Sequence, residues 1–195
     1  MYVSPHSAVI CAAGAGTRMG CPKALCLLGV HTFLSSIVET LHEAGIFSVI
    51  VVIGAEAQRV RQMHDHLAVT WVLNADWAST FMLESLMCGM QFVPHDHAVI
   101  HWPVDCVDVH VNDVRRLMAA KEPLVSLAFE DGPGHPMKMS CACAADLRRH
   151  FGRYNSLRAF VDAQRMTTLR ADYPALMNCN TPECLSNYLK SRCPK

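Results

Sequence analysis

The stretch that decides the fold is residues 8–23, which read AVICAAGAGTRMGCPK. The small and apolar residues 8–13 are typical of a buried strand. The glycines and the threonine that follow allow the backbone to curl so that successive N–H groups point inward, which is how a loop holds phosphate oxygens. Arg18 and Lys23 add positive charge to the same turn. The stretch therefore indicates a strand followed by an anion-binding loop.

Two common phosphate-binding signatures do not fit this loop. Gly20 comes one residue too late for the dinucleotide fingerprint, and no glycine is followed directly by lysine and then serine or threonine, as a P-loop requires. An NAD-linked oxidoreductase is therefore disfavoured, and NADH binding would reveal one. From the glycines alone, an ordinary strand-to-helix turn with two surface cations remains an equal alternative.

Strand-length apolar runs alternate with helix-length amphipathic stretches along the rest of the chain. Residues 47–53 are a continuous β-branched run, typical of a strand covered on both faces. The Gly/Pro-rich residues 131–136 are interpreted as a link. The alternation predicts an α/β, three-layer Rossmann-like fold with a mainly parallel mixed sheet and ligands at the carboxyl ends of its strands. Further strands are predicted at residues 69–73, 98–102, 124–129, 137–140 and 167–171, and helices at residues 31–44, 56–66, 83–91, 112–120, 144–151, 157–164 and 181–189.

Composition limits the possible partners. The chain has 195 residues, 51% of them hydrophobic, and 17 basic against 17 acidic side chains, which predicts one domain, residues 1–195. Zero net charge without a basic run argues against a broad nucleic-acid or membrane surface. No cysteine pair among the ten has the two-residue gap of a zinc ribbon, and the start of the chain lacks an export signal. We therefore expect a cytoplasmic protein that meets any anion locally.

The loop resembles a known signature. Residues 12–25, AAGAGTRMGCPKAL, are similar to the signature loop of MobA-like nucleotidyltransferases, and the molybdenum cofactor cytidylyltransferases are the most similar branch. Other segments agree with that family in order and approximate spacing: residues 52–55 (VIGA), 74–77 (NADW) with Ser85, 103–105 (PVD), 134–136 (GHP) and 178–183 (NCNTPE). Together they span nearly the whole chain.

The resemblance implies a nucleotide-diphospho-sugar transferase-like fold and a magnesium-dependent reaction. CMP, or alternatively GMP, would pass from a nucleoside triphosphate to a phosphorylated acceptor such as molybdopterin, with a molybdoenzyme or its chaperone as a possible partner. Arg18, Lys23 and Asp105 would be catalytic, Asp105 and Asn180 would hold Mg²⁺, and His135 would bind the acceptor. The nucleotide would be bound by Ala12, Ala13, Gly14, Ala15, Gly16, Thr17, Arg18, Lys23, Gly54, Asn74 and Ser85.

Two departures from the family pattern, at Asn178 and Asn180 and in the segment 79–84, leave alternatives open. Asn178 and Asn180 stand where cytidylyltransferases carry aspartates and resemble the guanylyl branch, whereas Ala13 and the Gly-His-Pro turn favour the cytidylyl side. Glu84 is an unusual charge in its segment. The weaker metal site leaves a second hypothesis, a nucleotide-binding carrier that delivers a cofactor with little or no transferase activity.

Other polar groups carry less weight. Asp108 is the neighbour that could replace Asp105 at the metal. The segments 64–66 (HDH) and 95–97 (HDH) look like metal clusters, but adjacent side chains point in different directions. An arginine cluster could meet an anionic acceptor, and the methionines and cysteines near residues 82–90 are expected in the core. The arginines are Arg148, Arg149 and Arg153.

Overall fold

A seven-stranded sheet forms the centre of the molecule. The computed structural model describes residues 5–130, 132–176 and 178–192. The strands of this sheet are β1 (His6–Ala12), β4 (Ser48–Ile53), β5 (Thr70–Leu73), β6 (Ala98–Pro103), β7 (Leu124–Phe129), β8 (Gly132–Met139) and β9 (Thr167–Arg170). They lie in the order β5-β4-β1-β6-β8-β7-β9, and all run parallel except β8, which is antiparallel to both of its neighbours.

Helices cover both faces of the sheet, as the buried runs in β1, β4 and β6 require. The helices are α1 (Phe33–Ala44), α2 (Ala57–Met63), α3 (Met82–Met90), α4 (Val111–Ala119), α5 (Cys141–His150), α6 (Leu157–Gln164) and α7 (Pro182–Arg192). One apolar core lies under α1, α2, α4 and α7, and the other lies under α3, α5 and α6. This arrangement confirms the predicted three layers.

Local sequence explains where several helices begin and end. The Thr32 hydroxyl accepts the N–H of Ser35 and starts α1, while Gly45, at φ 94°, ends it in the left-handed region that suits glycine. Ser140 caps α5 and Ser156 caps α6 in the same way. Thr181 accepts the N–H of Cys184, so the predicted start of the last helix is confirmed.

Two regions differ in kind from the sequence prediction, and α2, α5 and α7 depart from their predicted bounds by up to three residues. The interpretation of residues 131–136 as a link is wrong, because β8 already begins at Gly132; Asp131 itself lies outside the described residues. Pro133 pairs with Ala128 of β7 across a register shift, where a residue without an N–H can be accommodated. A small antiparallel pair, β2 (Leu27–Leu28) and β3 (His31–Thr32), precedes α1, so that helix begins two residues later than predicted.

The helices are too short to cross a bilayer. Within the part of the chain that the structure describes, none combines the length and the apolarity that a membrane span needs.

Candidate functional site

The glycine-rich loop leaves β1 at the carboxyl edge of the sheet and folds into a tight turn. Thr17–Met19 and Lys23–Leu25 are single 3-10 turns within it. Gly16 has φ 63°, and a Cβ there would lie 2.0 Å from the Cys21 carbonyl oxygen, so only glycine fits. Ala24 and Leu25 are buried in the core, which fixes the position from which the Lys23 side chain extends.

The turn after β6 holds Asp105 in place. The indole Nε1 of the fully buried Trp102 donates to the Cys106 carbonyl at 2.6 Å. The Val104 N–H donates to the Cys11 carbonyl at 3.1 Å, which fastens the turn to the end of β1. Asp105 therefore faces the glycine-rich loop from a rigid base.

A late segment of the chain completes the site. Val107 and Leu176 exchange two backbone hydrogen bonds of 2.9 Å each, and the Cys179 N–H donates to the Asp105 carbonyl at 3.1 Å. Asn178 is left-handed at φ 53°, and its carbonyl accepts the Asn180 side-chain N–H at 2.7 Å. These contacts aim the Asn180 side-chain oxygen toward Asp105.

The side chains predicted to be catalytic or metal-binding meet in one cleft. Lys23 Nζ donates to Asp105 Oδ2 at 2.7 Å and to Asn180 Oδ1 at 2.6 Å, and Arg18 Nη2 donates to the same Asn180 oxygen at 3.0 Å. The cleft has a volume of about 210 Å³. It is lined by Cys11, Gly14, Gly16, Thr17, Arg18, Lys23, Met82, Pro103, Val104, Asp105 and Asn180. Cys11 and Met82 were not among the predicted site residues. Met82 was expected in the core, but it is 40% exposed.

Other residues predicted to bind the nucleotide, among them Gly54, Asn74 and Ser85, do not line the cleft. Gly54 packs so closely that a Cβ would lie 2.5 Å from the Trp77 Cβ and 2.7 Å from the Ala13 carbonyl oxygen. The buried Asn74 amide donates to Ser85 Oγ at 3.1 Å and to Thr80 Oγ1 at 2.9 Å. In this arrangement Asn74 and Ser85 bond to each other, and their contact with nucleotide stays a prediction.

Two histidines form a stacked pair close to Asp105, in which His101 is buried and His135 is partly exposed. The rings of His101 and His135 stack with their centroids 5.1 Å apart. Burial lowers the pKa of His135 to about 4, against the opposing effect of the Asp105 charge, and it lowers the pKa of His101 well below 6.5. Neither nitrogen of His101, nor Nδ1 of His135, has a hydrogen-bond partner among the described residues. Both rings are therefore neutral near pH 7.

Replacing His101 by leucine should make the protein less sensitive to acid. The unfolded state gains a proton on His101 near pH 6.5, whereas the folded state does not, so this histidine costs stability as the pH falls. Between about pH 7.5 and about pH 5, the free energy of unfolding of His101→Leu should gain about 2 kcal/mol relative to wild type. Urea unfolding at both pH values measures this difference, with the exposed His95→Leu as control. An equal change in both variants would rule out burial as the cause.

The remaining alternatives have structural roles. The Tyr188 hydroxyl donates to Asp108 Oδ2 at 2.5 Å, and Asp108 does not line the cleft. Glu84 accepts the Phe81 N–H at 3.0 Å and so caps α3, which accounts for its unusual charge. Arg148 donates to the carbonyls of Met90 and Val93.

The histidine-rich segments do not form metal centres in this structure. His64 is buried, with Nδ1 2.7 Å from the Val60 carbonyl and Nε2 2.7 Å from Thr32 Oγ1. His97 Nδ1 lies 2.7 Å from Ser7 Oγ. Among the residues 5–130, 132–176 and 178–192, no three His, Cys, Asp or Glu side chains are grouped to hold a metal ion.

Comparison with known proteins supports the resemblance. Nicotine blue oxidoreductase of Paenarthrobacter nicotinovorans is 33% identical over 139 residues, 66% of this chain and 68% of that protein. The bifunctional protein GlmU of Pseudoalteromonas atlantica is 32% identical over 120 residues, 59% of this chain, and the match spans only 25% of GlmU. A nucleotidyl transferase from Methanothermobacter thermautotroptrophicus, Mth528, superposes with a TM-score of 0.77 and 25% identity over 96% of both chains.

A family model identifies the larger group. Residues 8–169 match the MobA-like NTP transferase domain, which covers most of the chain and includes the glycine-rich loop and Asp105. The fold and the predicted family are thus confirmed together. The chain belongs to the MobA-like NTP transferases, a family of nucleotidyltransferases.

Proposed function

We propose that this protein transfers a nucleoside monophosphate, CMP in preference to GMP, from a nucleoside triphosphate to a phosphorylated acceptor such as molybdopterin. The observation that carries the proposal is the convergence of Arg18, Lys23, Asp105 and Asn180 in one cleft. The whole chain, residues 1–195, would act as one transferase domain. Nine free cysteines in the described residues fit a reducing cytoplasm, where a molybdoenzyme or its chaperone could receive the product.

The residues present fit a magnesium ion. Asp105 Oδ2 and Asn180 Oδ1 already bind one cation together, the Lys23 ammonium. Both are hard oxygen donors, and Mg²⁺ is held in such sites by one or two carboxylates with phosphate oxygens and water. When bound, Mg²⁺ would neutralise phosphate charge and act as a Lewis acid. A site with one carboxylate should bind the metal mainly together with the nucleotide.

The side chains of the cleft have separate tasks in the reaction. An acceptor phosphate oxygen attacks the α-phosphorus in line, the bond to the bridging oxygen breaks, and pyrophosphate leaves. Arg18, Lys23 and the amides of the glycine-rich loop neutralise the charge that grows on the α-phosphate and on the leaving group. In the free protein Lys23 is bound to Asp105, and both side chains are only 18% and 20% exposed, so the triphosphate has to compete for Lys23.

His135 would meet the acceptor. Its ring is neutral near pH 7 and lies close enough to Asp105 to sense that charge. A neutral imidazole can donate one hydrogen bond to a phosphate oxygen without a salt bridge. The preference for CMP rests on Ala13 and on the Gly-His-Pro turn at residues 134–136.

Pyrophosphate release tests the proposal. Each of the four ribonucleoside triphosphates is offered with and without molybdopterin, over a range of magnesium concentrations. We expect release from CTP that depends on both acceptor and Mg²⁺. Release that favours GTP would move the assignment to the guanylyl branch. Tight nucleotide binding without release under any condition would instead support the cofactor carrier.

An oxidoreductase is a third candidate after the transferase and the cofactor carrier, because one relative is a nicotine blue oxidoreductase that matches 66% of this chain. Against it stands the spacing of the glycine-rich loop, which does not match the dinucleotide fingerprint. The oxidoreductase and the transferase differ in ligand. Binding of NADH or NADPH, measured by fluorescence titration, with no binding of CTP or GTP, would favour the oxidoreductase.

Replacing Asn180 by aspartate should tighten magnesium binding. The change adds a negative charge at the oxygen that already accepts from Lys23 and Arg18, and we expect the magnesium concentration for half-maximal activity to fall about fivefold. Asn155→Asp, at an exposed position, makes the same change of charge away from the cleft. An unchanged magnesium requirement in Asn180→Asp would remove this side chain from the metal site.

A further inference from the structure

Two cysteines flank Lys23 with their sulfur atoms in contact. Cys21 precedes the 3-10 turn Lys23–Leu25 and Cys26 ends it, and the two Sγ atoms lie 3.5 Å apart. A disulfide needs an S–S distance of about 2.05 Å, so a small side-chain rotation would bring the atoms to bonding distance. The nucleotide-binding prediction for this loop assigns no task to either sulfur.

The two thiols differ in a way that suits successive steps of oxidation. Cys21 is partly exposed, whereas Cys26 is buried, 6% exposed. Burial, together with the neighbouring Cys21, raises the pKa of the Cys26 thiol to about 12, so Cys26 is a poor first target for an oxidant. Cys21 is the thiol that a small oxidant in solution reaches first.

We propose that Cys21 and Cys26 are a peroxide-sensitive dithiol, whose closure to a disulfide locks Lys23 in its contact with Asp105 and weakens nucleotide binding. The effect on nucleotide rests on the proposed function, whereas the formation of the disulfide does not.

Hydrogen peroxide is the oxidant. The Cys21 thiol gives up its proton, its sulfur attacks one peroxide oxygen and the O–O bond breaks, so that Cys21 becomes a sulfenic acid while the other oxygen takes up that proton and leaves as water. The Cys26 sulfur then attacks the Cys21 sulfur, an S–S bond forms, and hydroxide leaves with the Cys26 proton as a second water. Two electrons pass from the two thiols to the peroxide.

Lys23 lies between Cys21 and Cys26, inside the ring that a disulfide between them would close. Lys23 Nζ is bound to Asp105 and Asn180, and a triphosphate has to draw it away from them. A bond between residues 21 and 26 restricts the backbone of the turn that must move. We therefore expect oxidation to lower nucleotide affinity about tenfold, a coupling typical of linked sites.

Two other cysteines near the cleft are competing partners. The Cys179 and Cys184 thiols are hydrogen-bonded to each other, and burial raises the pKa of the Cys179 thiol to about 12. Cys179 also senses Lys23 and Asp105, so it lies within the same region. The experiment therefore has to identify which sulfurs become linked.

Trypsin makes the proposed link easy to recognise, because cleavage at Lys23 separates the two cysteines. Cys21 falls in the peptide of residues 19–23 and Cys26 in that of residues 24–59. The reduced protein is treated with hydrogen peroxide, its remaining thiols are alkylated, and the peptides are identified by mass spectrometry. We expect these two peptides joined, and released by dithiothreitol. Peroxide that modifies other thiols without joining them, or that joins either cysteine to Cys179 or Cys184, overturns the proposal.

Variants separate the dithiol from general oxidation. In Cys21→Ser the joined peptides and the peroxide effect on nucleotide affinity should both disappear, whereas Cys141→Ser, at a partly exposed cysteine on α5, should behave as wild type. Cys26→Ala gives a second test from the buried partner. If Cys21→Ser loses nucleotide affinity on oxidation as wild type does, the locked turn is not the cause.

Nucleotide binding and the disulfide can also be measured against each other. By linkage, saturating CTP should raise the midpoint potential of the dithiol in glutathione buffers by about 30 mV, which is the tenfold preference for the reduced form. A disulfide with unchanged CTP affinity overturns the coupling to Lys23. Failure of the reduced protein to bind any nucleoside triphosphate overturns the proposed function and leaves the dithiol chemistry standing.

Discussion

Replacing Asp105 by asparagine should lower kcat for nucleotidyl transfer by about a thousandfold, the size of effect seen when a group that stabilises transition-state charge is removed. Asparagine has the same shape but no charge, so it can neither balance Lys23 nor bind Mg²⁺ as a carboxylate. The turn itself should stay intact, because the Trp102 indole N–H and the Val104 backbone N–H hold it by hydrogen bonds to carbonyl groups. Asp105→Ala should abolish transfer in the same way. Steady-state kinetics at saturating magnesium measures the loss.

Asp108→Asn is the matched control for this result. Asp108 lies three residues further along the same turn, bonds to the Tyr188 hydroxyl and stays outside the cleft. It is left-handed, at φ 62°, a conformation that asparagine tolerates well. Transfer by Asp108→Asn should remain within about threefold of wild type. Unchanged turnover in Asp105→Asn would remove that carboxylate from the mechanism, and equal losses in both variants would point to damage of the turn.

Replacing Gly16 by alanine should lower nucleotide affinity by about a hundredfold, because the loop could no longer fold as it does in this structure. The new Cβ would lie 2.0 Å from the Cys21 carbonyl oxygen, and φ of 63° is costly for a side chain. Strain and clash together cost about 2–3 kcal/mol, most of which would be relieved by moving the loop that carries Arg18 and Lys23. Isothermal titration with CTP and Mg²⁺ measures the affinity.

The control for Gly16→Ala is Gly20→Ala, which shares the strain but not the clash. Gly20 has φ 76°, and a Cβ there would have no atom within 4 Å. We expect it to lower the melting temperature by a few degrees while nucleotide affinity changes by less than about fivefold. If Gly20→Ala loses as much affinity as Gly16→Ala, backbone strain alone explains the effect and the contact with Cys21 is irrelevant.

Most of the fold could be predicted from sequence because periodicity and burial agree along most of the chain. Residues 49–53 of β4 are all buried, as a β-branched run covered on both faces should be. The second half of β8 was predicted, but its beginning at residues 132–136 was missed, because glycines and prolines usually mark turns. Its beginning is stabilised by pairing with β7 across an irregular register, which local sequence does not encode.

The sequence indicated which residues form the candidate site but not how they are arranged. Lys23 contacts Asp105 and Asn180, which are 82 and 157 residues away along the chain. Only the match of these residues to family motifs allowed them to be assigned to one site from the sequence. Spacing could not indicate that Asn74 and Ser85 would bond to each other, since that depends on how two separate segments pack. Met82 was misplaced for the same reason, because its apolar character does not distinguish a core position from the rim of a cleft.

The backbone bridge between Val107 and Leu176 bears on where the limits of the domain are drawn. The family match ends at residue 169, yet Asn180, whose oxygen binds both Arg18 and Lys23, lies beyond it. Truncation at that limit would keep the range that matches the family model but remove Asn180 from the lining of the cleft. The candidate site is therefore longer than the matched range, and the bridge between Val107 and Leu176 joins the remaining segment to it.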